Sequence, residues 1–148
     1  MSFLSRVGSP AGALRILSVA MGVFLIFMSL DKIDWLTDAA ILARRLQEWR
    51  GTARPLARWY LDTVAIPGST VFARVVVLAE LAAGTSLVLG MKVRLAAALA
   101  FLMVLNFHFA SDLIFRTSYL INPYGLPVLG GLLALAVGGT RLPFSVSR

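Results

Sequence analysis

The chain has 148 residues, 59% of them apolar and 14% charged, with 14 Lys and Arg against 7 Asp and Glu for a net charge of +7. Ordinary soluble proteins are ~45–50% apolar and ~25% charged, so a soluble domain of this length has no core large enough for so much apolar surface, whereas lipid solvates it. The absence of cysteine excludes disulfides, thiolate nucleophiles and iron–sulfur ligation, and a single histidine, His108, excludes an all-protein zinc site or a bis-histidine haem, so no metal site is expected.

Four apolar stretches predict an all-α fold, a four-transmembrane-helix bundle built as one integral membrane domain over residues 1–148. The first span covers about 12–30. It is uncharged from Ile16 to Leu30 and crosses ~30 Å of hydrocarbon at 1.5 Å per residue once Arg15 snorkels. A cleaved signal peptide is the rival reading. No small-x-small cleavage site follows, however, and the sequence runs on as Asp31-Lys32-Ile33-Asp34-Trp35.

Residues 31–70 form an extramembrane, amphipathic helical loop between helices 1 and 2. Trp35, Ala39, Leu42, Leu46 and Trp49 recur at helical spacing on one face, with Arg44, Arg45 and Glu48 on another. Arg44 and Glu48 stand as an i,i+4 pair. Gly51 and Pro55 interrupt the pattern, and Leu56 to Ala65 predicts a second short helix before Pro67-Gly68. Such a segment lies along the membrane surface or caps the bundle.

The second span, about 71–91, contains Arg74 and Glu80 and closes on a Lys92-Val93-Arg94 turn. The third, about 95–115, contains Asn106, His108 and Asp112. A turn from Arg116 to Pro123 leads to the fourth, about 124–140, with Pro127 in its first turn, where proline is tolerated. Small residues four apart, Ala79/Ala83 and Gly130/Ala134/Gly138, predict close helix approach in lipid.

Four spans place both termini and the Lys92–Arg94 turn on one side. That side carries Arg6, Lys92, Arg94, Arg141 and Arg148 in short segments without an acid, whereas the long loop mixes its basic residues with Asp31, Asp34, Asp38, Glu48 and Asp62. The expected topology is a multi-pass protein of the cell (inner) membrane, termini cytoplasmic and long loop periplasmic or extracellular. The basic excess reads as topology and lipid headgroups, not nucleic acid. All tryptophans and tyrosines fall on the outer side, as interfacial anchors or as a partner-docking face of Trp35, Trp49, Trp59 and Tyr60.

Ionisable residues inside spans are expensive and are functional candidates. Helix rise puts Glu80 roughly 14 Å below the start of its span and His108 roughly 10 Å below the end of its own. The expectation is a polar pocket in the outer half of the bundle, floored by Glu80, His108 and Asn106 and topped by Asp112 and Arg74. The plainer alternative is satisfied interhelical pairs, Glu80 with Arg74 or Arg15 and His108 with Asp112. A carboxylate and an imidazole so placed suit proton exchange with a quinone or an acidic substrate. Glu80 and His108 are therefore the candidate catalytic pair, with Arg74, Asn106, Asp112 and Lys32 as binding candidates. A lone axial haem or chlorin ligand is a further reading of His108, which no other residue supports.

The run Gly22-Val-Phe-Leu-Ile-Phe-Met-Ser-Leu-Asp-Lys32 resembles the opening signature of the DoxX family, and Ala79-Glu80-Leu-Ala-Ala-Gly84-Thr-Ser-Leu-Val-Leu-Gly90-Met-Lys-Val-Arg94-Leu is similar to its second-helix pattern. The resemblance covers all four spans in layout and these two patches in sequence, with Lys32, Glu80, Gly84, Gly90 and Arg94 as pattern positions. It implies a four-helix membrane protein related to the membrane subunit of a thiosulfate:quinone oxidoreductase. The implied role is a subunit of a quinone-linked redox complex, with no covalent cofactor, a bound quinone, and other membrane-complex subunits and lipids as partners. The long Trp-containing loop departs from an ordinary short member and favours docking onto a larger assembly. The rival expectation is a non-catalytic accessory subunit of a respiratory or photosynthetic complex. A third is a small transporter or lipid-binding protein.

Overall fold

The computed structural model describes residues 7–146. It is all-helical, 79% helix with no strand among the described residues. Helix α1 (Pro10–Asp31) starts where Ser9 Oγ accepts a hydrogen bond from the Gly12 amide at 3.1 Å, with Pro10 in the first turn. Helix α4 (Ser69–Leu89) stops at Gly90, whose φ of 73° is left-handed. There the Met91 amide donates to the Ser86 carbonyl at 2.8 Å and the Gly90 amide to that of Leu87 at 3.3 Å, a Schellman ending. Helix α5 (Val93–Ala110) follows directly. These three helices, of 22, 21 and 18 residues, are long and apolar enough to cross a membrane.

The fourth apolar helix, α6 (Leu126–Gly138), has only 13 residues, or ~20 Å at 1.5 Å per residue. It is shorter than the expected 124–140 because Gly125 and Gly139 flank it and neither continues the helical backbone. The third span also ends early, at Ala110 and not Phe115. Asp112 takes a left-handed φ of 60°, and 3-10 turns at Leu113–Phe115 and Thr117–Ile121 replace the last helical turn.

Side chains are distributed inside out relative to a soluble bundle. Ile16, Phe27, Val71, Leu78, Leu99 and Leu102 are more than half exposed, while Ser18, Ser29, Glu80 and His108 are buried. A lipid solvent explains both halves of this pattern.

Packing closes a ring in which α1 touches α4 and α6, α4 touches α5, and α5 touches α6. The α1–α4 seam is the most extensive. Along α1 the seam residues Ser18, Gly22, Leu25, Ser29 and Lys32 recur every three to four positions. Ser18 Oγ donates to the Leu87 carbonyl at 2.7 Å and Ser29 Oγ to the Val77 carbonyl at 2.9 Å. Between them Gly22 faces Gly84. A Cβ on Gly22 would sit 2.7 Å from the Gly84 carbonyl oxygen, and one on Gly84 would sit 2.8 Å from that of Gly22. The glycine stripe expected on α6 behaves differently. Gly130 faces open space and Ala134 is exposed, while Gly138 meets Leu14. Four-residue spacing selects a helix face without saying whether protein or lipid covers it.

The 31–70 segment caps one end of the bundle. It comprises a 3-10 turn (Ile33–Leu36), α2 (Ala40–Thr52), α3 (Pro55–Tyr60) and a π-helical turn (Leu61–Ala65). Helix α2 runs through Gly51 and breaks only at the extended residues before Pro55. Trp35, Leu42 and Leu46 are buried against α4 as their spacing predicts. Arg44 pairs with Asp38 at 3.9 Å instead of Glu48. Arg50 binds the Asp62 carboxylate, tying α2 to the π-helical turn and holding that carboxyl below its usual range. One apolar cluster fills this end, around Trp35, Leu46, Leu61 and Val77, and a second, around Leu25, Leu87, Ala97 and Leu132, fills the other.

Gly22→Ala or Gly84→Ala must push α1 and α4 apart. Each is expected to lower stability in detergent by roughly 1–3 kcal/mol, whereas Gly130→Ala, with open space around the new methyl, leaves stability unchanged or raised. Thermal unfolding of the three variants checks this, and equal losses at all three positions would contradict the assigned seam.

Candidate functional site

Lys32 lies just past the end of α1, yet its side chain is only 8% exposed. Side chains on a helix tilt toward its N-terminus, so the ammonium is carried back into the bundle. There Nζ donates to the Met28 carbonyl at 2.7 Å and to both oxygens of Glu80, at 3.0 and 3.1 Å. The carbonyl is one that the helix end leaves without an amide partner. The Glu80 side chain is 5% exposed. An unpaired charge at this depth would cost several kcal/mol, and the bidentate contact offsets the desolvation of both groups.

His108 stands in the last turn of α5. Its Nδ1 lies 3.1 Å from the Tyr119 hydroxyl, and the two rings meet edge to face with centroids 5.4 Å apart. Tyr119 comes from the Thr117–Ile121 turn and is packed against Gly125, where a Cβ would approach its ring to 3.0 Å. Burial pushes the Tyr119 hydroxyl up from its ordinary pKa. The other ring nitrogen of His108 has no hydrogen-bond partner among the described residues.

Lys32, Glu80 and His108 line one cavity of about 420 Å³ where the two apolar clusters meet. Its walls are aromatic. Phe24 and Tyr124 stack at 6.0 Å, Trp49 meets Phe107 edge-on at 6.3 Å, and Arg45 lies over Trp35 at 5.8 Å. Arg116 also lines the cavity and reaches the Thr52 carbonyl and the Asp112 carboxylate, each at 3.5 Å. Aromatic walls with a few convergent polar groups in a volume of this size are the usual form of a small-molecule site. The family model described as DoxX matches residues 13–111, well over half of the chain and inclusive of Lys32, Glu80 and His108. The chain belongs to the DoxX family. No curated protein and no solved structure matches it.

In this DoxX protein the sequence-predicted residues separate into those at the cavity and those away from it. Glu80, His108 and Lys32 are brought together. Arg74 is not: it is exposed on α4 and donates to its own Thr70 carbonyl at 2.9 Å. Neither Arg74 nor Arg15 pairs with Glu80. Arg15 instead donates to the carbonyls of Leu87 and Val88 at 2.9 and 2.6 Å. Asn106 is exposed and accepts from the Tyr60 hydroxyl at 2.7 Å. Asp112 is 1% exposed but sits behind the wall, between Arg116 and Arg54 (3.8 Å), and does not touch His108; its Oδ1 has no partner among the described residues. Of the aromatic docking candidates, Trp35 and Trp49 face the cavity and Tyr60 packs edge-on against Phe109, while Trp59 is exposed. Sequence reasoning missed Tyr119, Tyr124, Phe24, Arg45 and Arg116 as site residues. The first two sit in or beside a turn, where no helical period marks a face.

The ion pair gives a direct prediction. Lys32→Met or Glu80→Gln alone leaves one buried group without its partner and should cost about 3 kcal/mol. The double variant, with no charge left to bury, should cost less than the sum of the two. Equilibrium unfolding in detergent checks this, and strictly additive losses would contradict the pair.

Proposed function

We propose that this DoxX membrane protein is the quinone-binding subunit of a membrane redox complex, with the Lys32–Glu80–His108 cavity as the headgroup site. The observation that carries the reading is the convergence of a buried carboxylate, an ammonium and a tyrosine-oriented imidazole on one aromatic-walled cavity. A quinone ring fits between flat apolar walls, and its two carbonyl oxygens accept hydrogen bonds. With Tyr119 donating to Nδ1, the Nε2–H of His108 is available to one carbonyl; Lys32 serves the other by giving up one of its two contacts with Glu80. Reduction to the quinol takes two electrons and two protons. The His108 Nε2–H and the Lys32 ammonium carry the two protons that the quinone takes up, and Tyr119 and Glu80, their respective hydrogen-bond partners, relay replacements from the aqueous side. Electrons come from a partner subunit or its substrate, since a chain without cysteine offers no thiolate or iron–sulfur relay. In this reading the termini are cytoplasmic and the capping segment faces the periplasm or exterior.

Trp35 and Trp49 make the proposal measurable, because a quinone in the cavity quenches their fluorescence. Titration with a short-chain quinone should quench saturably. Glu80→Gln and His108→Ala should each weaken apparent affinity about ten-fold or more, an effect of ~1.4 kcal/mol, while Trp59→Phe should not. Linear, non-saturating quenching that the cavity variants leave unchanged would sink the quinone site.

An accessory-subunit role is the second reading. It is favoured by the exposed Trp59, Leu120 and Ile121 near the capped end. On that reading Trp59→Ala releases the chain from its assembly, as native gel electrophoresis would reveal, while the cavity variants stay assembled.

A further inference from the structure

The opposite end of the bundle holds a second cavity, of about 390 Å³, lined by Lys92, Arg94, Thr140, Arg141 and Ser145 beside Gly90 and Gly139. Its charge is unbalanced. Among the described residues no ion pair involves Lys92, Arg94 or Arg141, and the only hydrogen bond of the Arg94 side chain runs from Nε to the Ala136 carbonyl at 2.9 Å. The guanidinium's terminal nitrogens are therefore left with donors to spare. The cavity also receives the start of α5, an 18-residue helix with no side-chain cap at Lys92. The amides of Val93, Arg94 and Leu95 have no acceptor among the described residues, since the first bond back to the cap comes from Ala96. The Ser145 hydroxyl, shielded from water, has no partner among the described residues either. Cationic side chains, free amides and an unpaired hydroxyl are all donors, and together they ask for a polyvalent anionic acceptor.

We infer that this cavity binds a phosphate group. The surroundings favour the phosphate of an anionic phospholipid. The turn joins two helices long enough to cross a membrane, so it lies at a membrane surface. From Leu95 at the cavity, the exposed Leu99 and Leu102 continue along one face of α5, an apolar track for an acyl chain. Free phosphate shares the same donors but makes no use of that track.

Native mass spectrometry of the full chain, with added phosphatidylglycerol or phosphatidylcholine, tests the inference. Thermal unfolding in detergent with inorganic phosphate runs beside it. The wild type should retain phosphatidylglycerol in preference to phosphatidylcholine. The variant Lys92→Gln/Arg141→Gln should lose that preference by roughly ten- to thirty-fold, given ~1 kcal/mol for each cation at a membrane surface. Both positions are exposed and have no ion-pair partner among the described residues, and unfolding without ligand shows whether the variant is intact. Arg44→Gln/Arg58→Gln, with the same loss of charge at the capped end, should bind as the wild type does. If inorganic phosphate alone stabilises the wild type, and Lys92→Gln/Arg141→Gln abolishes that effect without any lipid preference, the site takes soluble phosphate. Equal binding of both lipids with no phosphate effect, or equal losses in the two double variants, overturns the inference.

Discussion

An ammonium and a carboxylate cannot be left unpaired at membrane depth, and the Lys32–Glu80 contact is the constraint around which the rest of this bundle is arranged. Lys32 follows the end of α1 and Glu80 lies in the middle of α4, so the pair fixes how far one helix slides along the other. The same register brings Gly22 against Gly84 and aligns Ser18 and Ser29 with carbonyls of α4. A slide of one turn would break the ion pair, the glycine contact and both serine bonds together. Hydrophobicity does not distinguish helix from lipid, so such contacts are what make the seam specific.

The pair also determines where the interior stays open. Aliphatic side chains fill the far end of the ring, and the buried face of the 31–70 segment fills the near end. Between them the polar heads of Lys32, Glu80 and His108 are met by aromatic rings and not by close-packed methyl groups, and a cavity remains. Tyr119 and Asp112 stand behind that wall. One orients His108 and the other holds Arg116, so the surface offered to a ligand is supported from outside the cavity.

The helices were legible because length and hydropathy report them directly, and the buried face of α2 was legible from its period. Partner choice was less so. Arg74 and Glu80 are six residues apart, about 240° around a helix at 3.6 residues per turn, so they belong on different faces. Asn106 and His108, two apart, are about 200° apart by the same rule. Depth alone put them together; the helical angle takes them apart. Lys32 as the partner of Glu80 was accessible only through the reach of its side chain, since its backbone lies beyond the span. Asp112 would have shared a face with His108 had α5 continued, but the left-handed turn after Ala110 removed it. Nothing periodic marks Tyr119, which arrives from a 3-10 turn and packs against Gly125.

Membership of the DoxX family and the helical membrane architecture follow from the sequence match and the fold, while the account of function rests on what occupies the cavity beside Glu80. The most direct measurement is gentle detergent extraction of the protein from its own membrane, followed by mass-spectrometric identification of the small molecules that copurify. A quinone site beside Glu80 predicts a quinone retained in stoichiometric amount by the wild type and depleted in the Glu80→Gln protein. A preparation without quinone, or one in which Glu80→Gln retains as much as the wild type, would contradict it and leave the ion pair as a device for holding helices in register.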